Sequence, residues 1–400
     1  MSNSLLTIDM ITRKALEILE NQLVVTRTVN RQYDDSFAVE GAKIGSTLRI
    51  RKPDRALVTD GAALQVQDDN EQYTTLTVSS QKHIGVNFTS AELTLQLDDF
   101  ADRVLKPRIS QLAASIDADV ANAYKSIYQS VGTPGTTPAT SLVLLQAQQK
   151  LNEAAAVMSP RYATVNPAAN AALIEGMKGL FNPVSTISKQ FKAGMFGEGI
   201  LGYEELGMSQ SIKQHTVGTI PSGITSSAVS SEGASSITLN FSSASYAFNV
   251  GDVFTVADCY AVNPQTREST GSLQQFVVTA AVSGSGTSVA VSVAPAMYSA
   301  SHALATVNSL PGASKTVTFL GASGTQYAQN LVYHKDAISF ATADLMMPQG
   351  VDMASRQVHN GISMRIVRQY DINNDRMPCR IDVLYGYGVI RPEMAVRMWG

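Results

Sequence analysis

Cysteine is nearly missing from this chain, with only Cys259 and Cys379 among 400 residues. So far apart in sequence, the two cannot build a disulfide framework or, by themselves, a metal site, and such usage fits a reducing compartment. Basic runs are missing as well. Lys and Arg number 30 against 33 Asp and Glu, for a formal net charge of -3. With no Lys/Arg-rich stretch, a protein that clings to nucleic acid by neutralising phosphates is excluded. No apolar run approaches the roughly 18 residues of a membrane span. The N-terminus, MSNSLLTIDMITRKALEIL, lacks a basic region followed by a long apolar core. The expectation is a chain neither exported by a signal peptide nor membrane-spanning.

Catalytic punctuation is equally sparse. Neither a G-x-S-x-G elbow nor a P-loop pattern occurs. The five histidines, His83, His215, His302, His334 and His359, are isolated, and none has the three- or four-residue spacing that pairs metal ligands. They are expected at surface or strand positions. Gly197-Glu-Gly199-Ile-Leu-Gly202 matches the dinucleotide fingerprint in letters only. That fingerprint needs a strand before it, a helix after it and an acid about twenty residues on. Here Gly194 interrupts the approach and the next acid beyond Glu205 is Glu232, so the stretch reads as a tight-turning loop. Asp371, Asn373, Asp375 and Asp382 echo a calcium loop, but the sixth position is Arg376 rather than glycine and the flanks read as strands. A hairpin turn is the simpler reading. Met158, Met177, Tyr124 and Tyr128 at helical spacing read as core or subunit-interface residues. No catalytic, cofactor or metal residue is expected, and the chain reads as a non-enzyme.

What the chain does have is apolar residues, 44% of the total, enough for real cores in two or three domains. Residues 8–23 carry a one-sided helical pattern at Ile8, Ile11, Ala15, Leu16, Leu19 and Leu23, with Glu17 and Glu20 facing away. Two alternating runs, 47–52 and 73–79, read as a thin two-stranded ribbon that needs a neighbour to lie on. Arg49, Arg51, Lys52 and Arg55 gather at the base of this excursion. Asp54, Asp60, Asp68, Asp69 and Glu71 make its tip acidic. A solvated hairpin is one reading and an intersubunit ion-pair surface is the other.

The longest helical pattern runs over 97–129, with apolar positions at Leu105, Ile109, Leu112, Ile116, Val120, Tyr124 and Ile127. At about 1.5 Å per residue it would span roughly 45 to 50 Å, with either a bend at Pro107 or a short first helix feeding a longer second one. A second helix is expected over 141–158 with Leu142, Leu145 and Leu151 inside, then a strand at 162–166, a helix at 168–180, a glycine-rich loop at 194–207 and a strand at 208–213. These alternate as in a mixed α/β domain. From 216 to 327 the only charges are Glu232, Asp252, Asp258, Arg267, Glu268 and Lys315. Short alternating runs at 236–241, 253–256, 276–282, 288–293 and 315–320 predict a small barrel or sandwich inserted into another domain. A hairpin, 363–370 with 380–387 about a turn at 373–375, closes the chain with one face buried, plausibly on the long helix.

In their order these parts resemble the major capsid protein of tailed phages, of the short-tailed-phage coat type that carries an inserted β-barrel. Local likenesses are Arg161-Tyr-Ala-Thr-Val-Asn-Pro167 before a helix, residues 197–209, Gly251-Asp-Val-Phe-Thr-Val with Tyr260-Ala-Val-Asn-Pro264, and the ending Gly386-Tyr-Gly-Val-Ile-Arg-Pro392. The resemblance implies an α+β capsid fold. Its parts would be an N-terminal arm (1–44), an extended β-hairpin loop or E-loop (45–86), a spine helix with the peripheral domain (87–135), an axial domain (136–215), the inserted barrel (216–328) and a return through axial and peripheral domains (329–400).

It also implies self-assembly through pentamers and hexamers into an icosahedral shell around double-stranded DNA held without sequence-specific binding. The implied partners are a scaffolding protein, a portal protein and a decoration protein, with no membrane, and the implied place is the virion after assembly in the host bacterial cytoplasm. Because the arm reaches the hairpin by about Thr47, a separate scaffolding protein is expected rather than a fused, cleavable one. The stretch 54–73 contains no lysine, so reinforcement of the shell by covalent lysine-to-asparagine bonds is not expected. The competing readings are an encapsulin-like compartment, a carbohydrate-binding or adhesive β-rich surface protein, and an enzyme without motifs.

Overall fold

The computed structural model describes residues 8–31, 47–58, 61–62, 66, 72–89, 106–176, 197–229 and 231–400. They fall into two compact units, one built from 1–50, 74–120 and 338–390, the other from 51–73, 121–337 and 391–400. Among the described residues no helix is long and apolar enough to cross a membrane.

The first unit is an antiparallel sheet with helices packed against it. Strand Arg376–Val389 is its axis. Along one side it pairs with Ser80–Thr89, and along the other with Ile362–Arg368 and Ile338–Ala343, while Met353–His359 extends the sheet beyond Ile362–Arg368. The expected closing hairpin is therefore present. Helix α1 (Ile8–Gln22) and the short α2 (Val25–Thr28) precede it in sequence, and α3 (Lys106–Ala121) is the described part of the predicted strut. Ile109, Leu112, Ala113, Ile116 and Val120 of α3 are buried. Tyr385 donates its hydroxyl to Asp119 at 2.5 Å, so the axial strand of the sheet meets this helix.

Two corrections concern the helices. Regular helix ends at Ala121 and tightens into a 3-10 turn, Asn122–Ser126, so it stops short of Gln129. Tyr124 and Ile127 stay buried, because spacings of four and then three suit either kind of turn. Pro107 sits in the first turn of α3, and the part of the expected helix before it, 97–105, lies outside the described residues. Glu20 does not face away either. It accepts two bonds from Asn360 Nδ2, at 2.8 and 2.9 Å, and one from Arg31 at 3.4 Å, which ties α1 to the sheet.

Asp117 holds the arm down. Its buried carboxylate accepts the amides of Val24 (2.6 Å), Val25 (3.3 Å) and Thr26 (2.9 Å) and the Thr26 hydroxyl (2.5 Å). These amides are left over at the start of a helical turn, where an anion is favoured. Leu16, Leu19 and Leu23 are thereby seated in the core.

In the second unit, helices pack on a sheet ordered Ser130–Val131, Ala395–Trp399, Gln326–His334, Arg161–Val165, Tyr203–Met208 and Gly197–Ile200. Helices α4 (Ser141–Glu153) and α5 (Pro167–Gly176) belong to this unit. α4 buries Leu144, Ala147 and Leu151 and leaves Leu142 and Leu145 outside. It ends at Glu153 rather than 158, where the buried Arg161 donates to the carbonyls of Ala156 (2.8 Å) and Val157 (2.9 Å). The predicted loop at 194–207 is a hairpin over its described part. Leu201 and Gly202 carry positive φ, 50° and 77°, the backbone of a tight two-residue turn. No helix follows it, which removes the fingerprint reading. In place of the predicted strand 208–213, a three-residue strand, Gln214–Thr216, pairs with the start of Gln326–His334.

Between these two neighbouring strands the chain forms a closed barrel, ordered Ala234–Phe248, Val282–Met297, Ser269–Val278, Val253–Val262, Lys315–Phe319 and Thr225–Ser226. Closure leaves no unpaired edge. Its interior, including Phe241, Phe248, Phe254, Phe276 and Met297, is a cluster made entirely of barrel residues.

Replacing Asp117 with Ala is expected to cost about 3 kcal/mol, the range for charged hydrogen bonds lost from buried amides, with the arm released first. Urea denaturation together with hydrogen exchange at residues 12–30 checks this. Loss below about 1 kcal/mol would show that the carboxylate does not anchor the arm.

Candidate assembly surfaces and the joint beneath the barrel

Alternation on strand Thr47–Arg51 decides where the hairpin's charges go. Ile50 is buried and Leu48 half-buried, while Arg49 and Arg51 are exposed. Ile50, Leu76 and Val78 pack with Ala341, Ala343, Leu345, Leu384 and Ile390, so the apolar edge has its neighbour and the arginines stand on the opposite side. Pairing continues past the strands, since Lys52 donates its amide to Gln72 at 2.7 Å. Asp54 is exposed. Arg55 reaches Glu393 of the same chain, at 3.9 Å. Asp60, Asp68, Asp69 and Glu71 lie outside the described residues.

A second polar cluster had no signal in spacing. His215 Nε2 lies 2.8 Å from Asp252 Oδ1, and both side chains are buried. The same carboxylate accepts the amides of Gly218 and Asn249, the latter at 2.7 Å. His215 therefore donates through Nε2, and Nδ1 is left facing the Tyr124 hydroxyl at 3.4 Å. Gly218 is required here, because a side-chain carbon would stand 1.9 Å from the Ala247 carbonyl oxygen. Beside this pair, Gln275 of the barrel accepts the Ser130 amide at 2.6 Å and donates to its carbonyl at 3.0 Å. A glutamine side chain thus completes the edge of the sheet. Arg397 is fully buried, its guanidinium carbon 5.4 Å from the centre of the Trp399 ring, with no hydrogen-bond partner for its three nitrogens among the described residues. Burial pushes it down to about 9, against the pull of Tyr124 and Asp252.

Chemically the joint can bind barrel to sheet and little else. No group of three or more His, Cys, Asp or Glu that could hold a metal occurs among the described residues. Both cysteines are free and buried, and burial pushes the Cys259 thiol up to about 12, far from a reactive thiolate. The turn at 371–375 is a hairpin turn, as expected: Asp371 accepts from Asn373 and Asn374.

The fold defines the class first. Over 94% of this chain and 90% of the other, it matches a solved chain of Mycobacterium phage Che8 at 12% identity with a TM-score of 0.50. Capsid structures of the cyanophage P-SCSP1u (10% identity, 90% and 85% covered, TM-score 0.44) and Ralstonia phage GP4 (7%, 90% and 85%, 0.45) resemble it less. This is the α+β fold of tailed-phage capsids. Comparison with curated proteins gives no match. The model of the family described as "P22 coat protein - gene protein 5" matches residues 1–400, and the chain belongs to that family. It is a major capsid protein of a tailed phage, structural rather than enzymatic. Copies assemble into an icosahedral shell, and its place is the virion.

At the joint, Asp252→Ala is expected to destabilise by about 3 kcal/mol, since it strands two buried amides and a histidine donor. Arg397→Met is expected to be neutral or stabilising by up to about 2 kcal/mol, because an unpaired buried cation is replaced by an apolar side chain of similar length. Urea midpoints of the two variants test the contrast, and a loss above 2 kcal/mol for Arg397→Met would show that the guanidinium has strong partners.

Proposed function

We propose that this coat protein assembles through pentamers and hexamers, with the E-loop hairpin reaching a neighbouring copy and the barrel acting as an inserted domain braced on the axial sheet. The carrying observation is the hairpin: its apolar edge is fixed in its own core, while Arg49 and Arg51 are held outward. Arg49, Arg51, Lys52 and Asp54, with the acidic residues Asp60, Asp68, Asp69 and Glu71, make ion pairs across subunits. Such pairs are screened by salt. Arg55 takes part from its position beside Glu393. The residue ranges given for arm, hairpin, spine, axial domain, barrel and return describe these working parts.

Assembly takes place in the host bacterial cytoplasm with a scaffolding protein and a portal, and a decoration protein is compatible with the shell. The packaged double-stranded DNA is held without sequence-specific contacts. A net charge of -3 supports this, since a strongly basic shell would bind the phosphate backbone it must let pass. Reinforcement is non-covalent.

Electron microscopy of the protein expressed alone and with a scaffolding protein is expected to show closed shells, and only monomers under every condition would overturn the reading. Boiled shells should run as monomers on a denaturing gel. Arg49→Glu with Arg51→Glu should leave a subunit that still folds by circular dichroism, while lowering shell yield at least tenfold. Unchanged yield would remove the ion-pair surface from the assembly.

A further inference from the structure

Only one asparagine in this chain is followed by glycine, Asn360 before Gly361, and the pair makes the whole loop of a hairpin. Strands Met353–His359 and Ile362–Arg368 run antiparallel with His359 opposite Ile362. Asn360 and Gly361 have φ of 48° and 76°, the left-handed backbone that a two-residue turn of this kind requires and that Asn-Gly adopts readily. Asn360 stands exposed at the tip.

From there its side chain reaches helix α1. The amide nitrogen lies 2.8 and 2.9 Å from the two carboxylate oxygens of Glu20, and hydrogen bonds to a charged acceptor are the stronger kind. The other contacts of Glu20 are longer, Arg31 at 3.4 Å and His359 Nε2 at 3.3 Å. The loop thus grips α1 through an amide, and the grip depends on that group being a donor. A carboxylate in its place would only accept and would stand against the charge of Glu20.

We propose that Asn360 is a site of spontaneous deamidation, and that its conversion unlatches α1 from the sheet. The backbone nitrogen of Gly361 gives up its proton and attacks Cγ of Asn360. A new N–Cγ bond closes a cyclic imide, the Cγ–Nδ2 bond breaks, and Nδ2 takes up a proton and leaves as ammonia. Water then opens the ring at either carbonyl, leaving aspartate or isoaspartate, and nothing is oxidised or reduced. Glycine at 361 favours the attack, since no Cβ crowds its nitrogen. The bonds to Glu20 restrain the amide that must turn, so the reaction is gated by opening of the latch. Hydrolysis is not undone when the loop closes again. The latch therefore works once, and a subunit whose arm has opened keeps a carboxylate facing Glu20.

Mass spectrometry of the protein aged at mildly alkaline pH tests the site, because trypsin releases residues 357–365 with Asn360 as their only asparagine. Conversion is expected to be faster at Asn360 than at any other asparagine, and faster still in Glu20→Ala. A rate no higher than elsewhere would overturn the site, and equal rates in Glu20→Ala and the unaltered chain would overturn the gating. Asn360→Asp reproduces the product. Hydrogen exchange over residues 12–22 is then expected to be about tenfold faster, as for a locally opened element, with the barrel unchanged. Unchanged exchange in α1 would overturn the latch. Should that variant fail to fold, the aged protein answers the same question, since converted and unconverted molecules separate by charge. Equal exchange in the two fractions would refute the proposal, and faster exchange confined to the converted fraction would support it.

Discussion

Strand Gln326–His334 is the constraint on which the second unit depends. One side pairs with Ala395–Trp399, and the other with Arg161–Val165 and, at its beginning, Gln214–Thr216. It is also the first strand after the barrel. The barrel is thus tied at both ends to backbone already fixed by a ladder, with Thr216 opposite Gln326. A shift of one residue in that register would turn every side chain of the strand to the wrong face. Six consecutive buried residues, Gln329 to His334, make such a shift costly. The barrel needs no help from the sheet to close, since its core is its own. What joins them is a small apolar cluster, Trp399 with Val217, Tyr327, Ile220 and Leu320, together with the polar pairs Asp252 with His215 and Gln275 with Ser130.

The first unit uses a different anchor with the same logic. A single carboxylate, Asp117, gathers the start of α2, and another, Asp119, meets Tyr385 and Lys82. Both project from α3, so the described part of the helix is a rod from which arm and sheet are hung. In each unit an acidic side chain far away in sequence fixes a piece of backbone that apolar packing alone would leave free to slide.

Much of this architecture was legible in the sequence because period-two and period-3.6 patterns survive in isolation. The closing hairpin, the barrel strands and the stripe from Ile109 to Val120 were all visible in this way. Reading failed where the pattern carried no phase. Leu142-Val-Leu-Leu145 is apolar at every position, so nothing local says that Leu144 turns inward and its neighbours out. Strand Ser80–Thr89 was missed because Gly85 and Asn87 lower strand propensity, and its pairing with Arg376–Val389 overrides that. The joint was illegible for a third reason. Tyr124, His215, Asp252 and Arg397 are brought together only by the closed fold, and the one hint was that Asp252 is among six charges in a long uncharged stretch.

Those six charges show how the barrel treats its surroundings. Asp252 is buried at the joint, Lys315 pairs with Asp258 at 2.6 Å, and Glu232 accepts the amide and hydroxyl of Ser299. Arg267 and Glu268 are of opposite sign and adjacent in sequence. Glu232 is exposed and its partner Ser299 is neutral, so that charge is not cancelled. The barrel surface is therefore sparse in charge rather than free of it. The hairpin does the reverse, holding Arg49 and Arg51 outward on a strand whose other side is locked into a core. Charge in this coat protein is thus divided, buried where parts of one chain are held together and exposed along the outer side of the hairpin strand. A coat protein that must meet its own copies many times over gains from that division, because each exposed charge it omits is one fewer repulsion repeated around every axis of the shell.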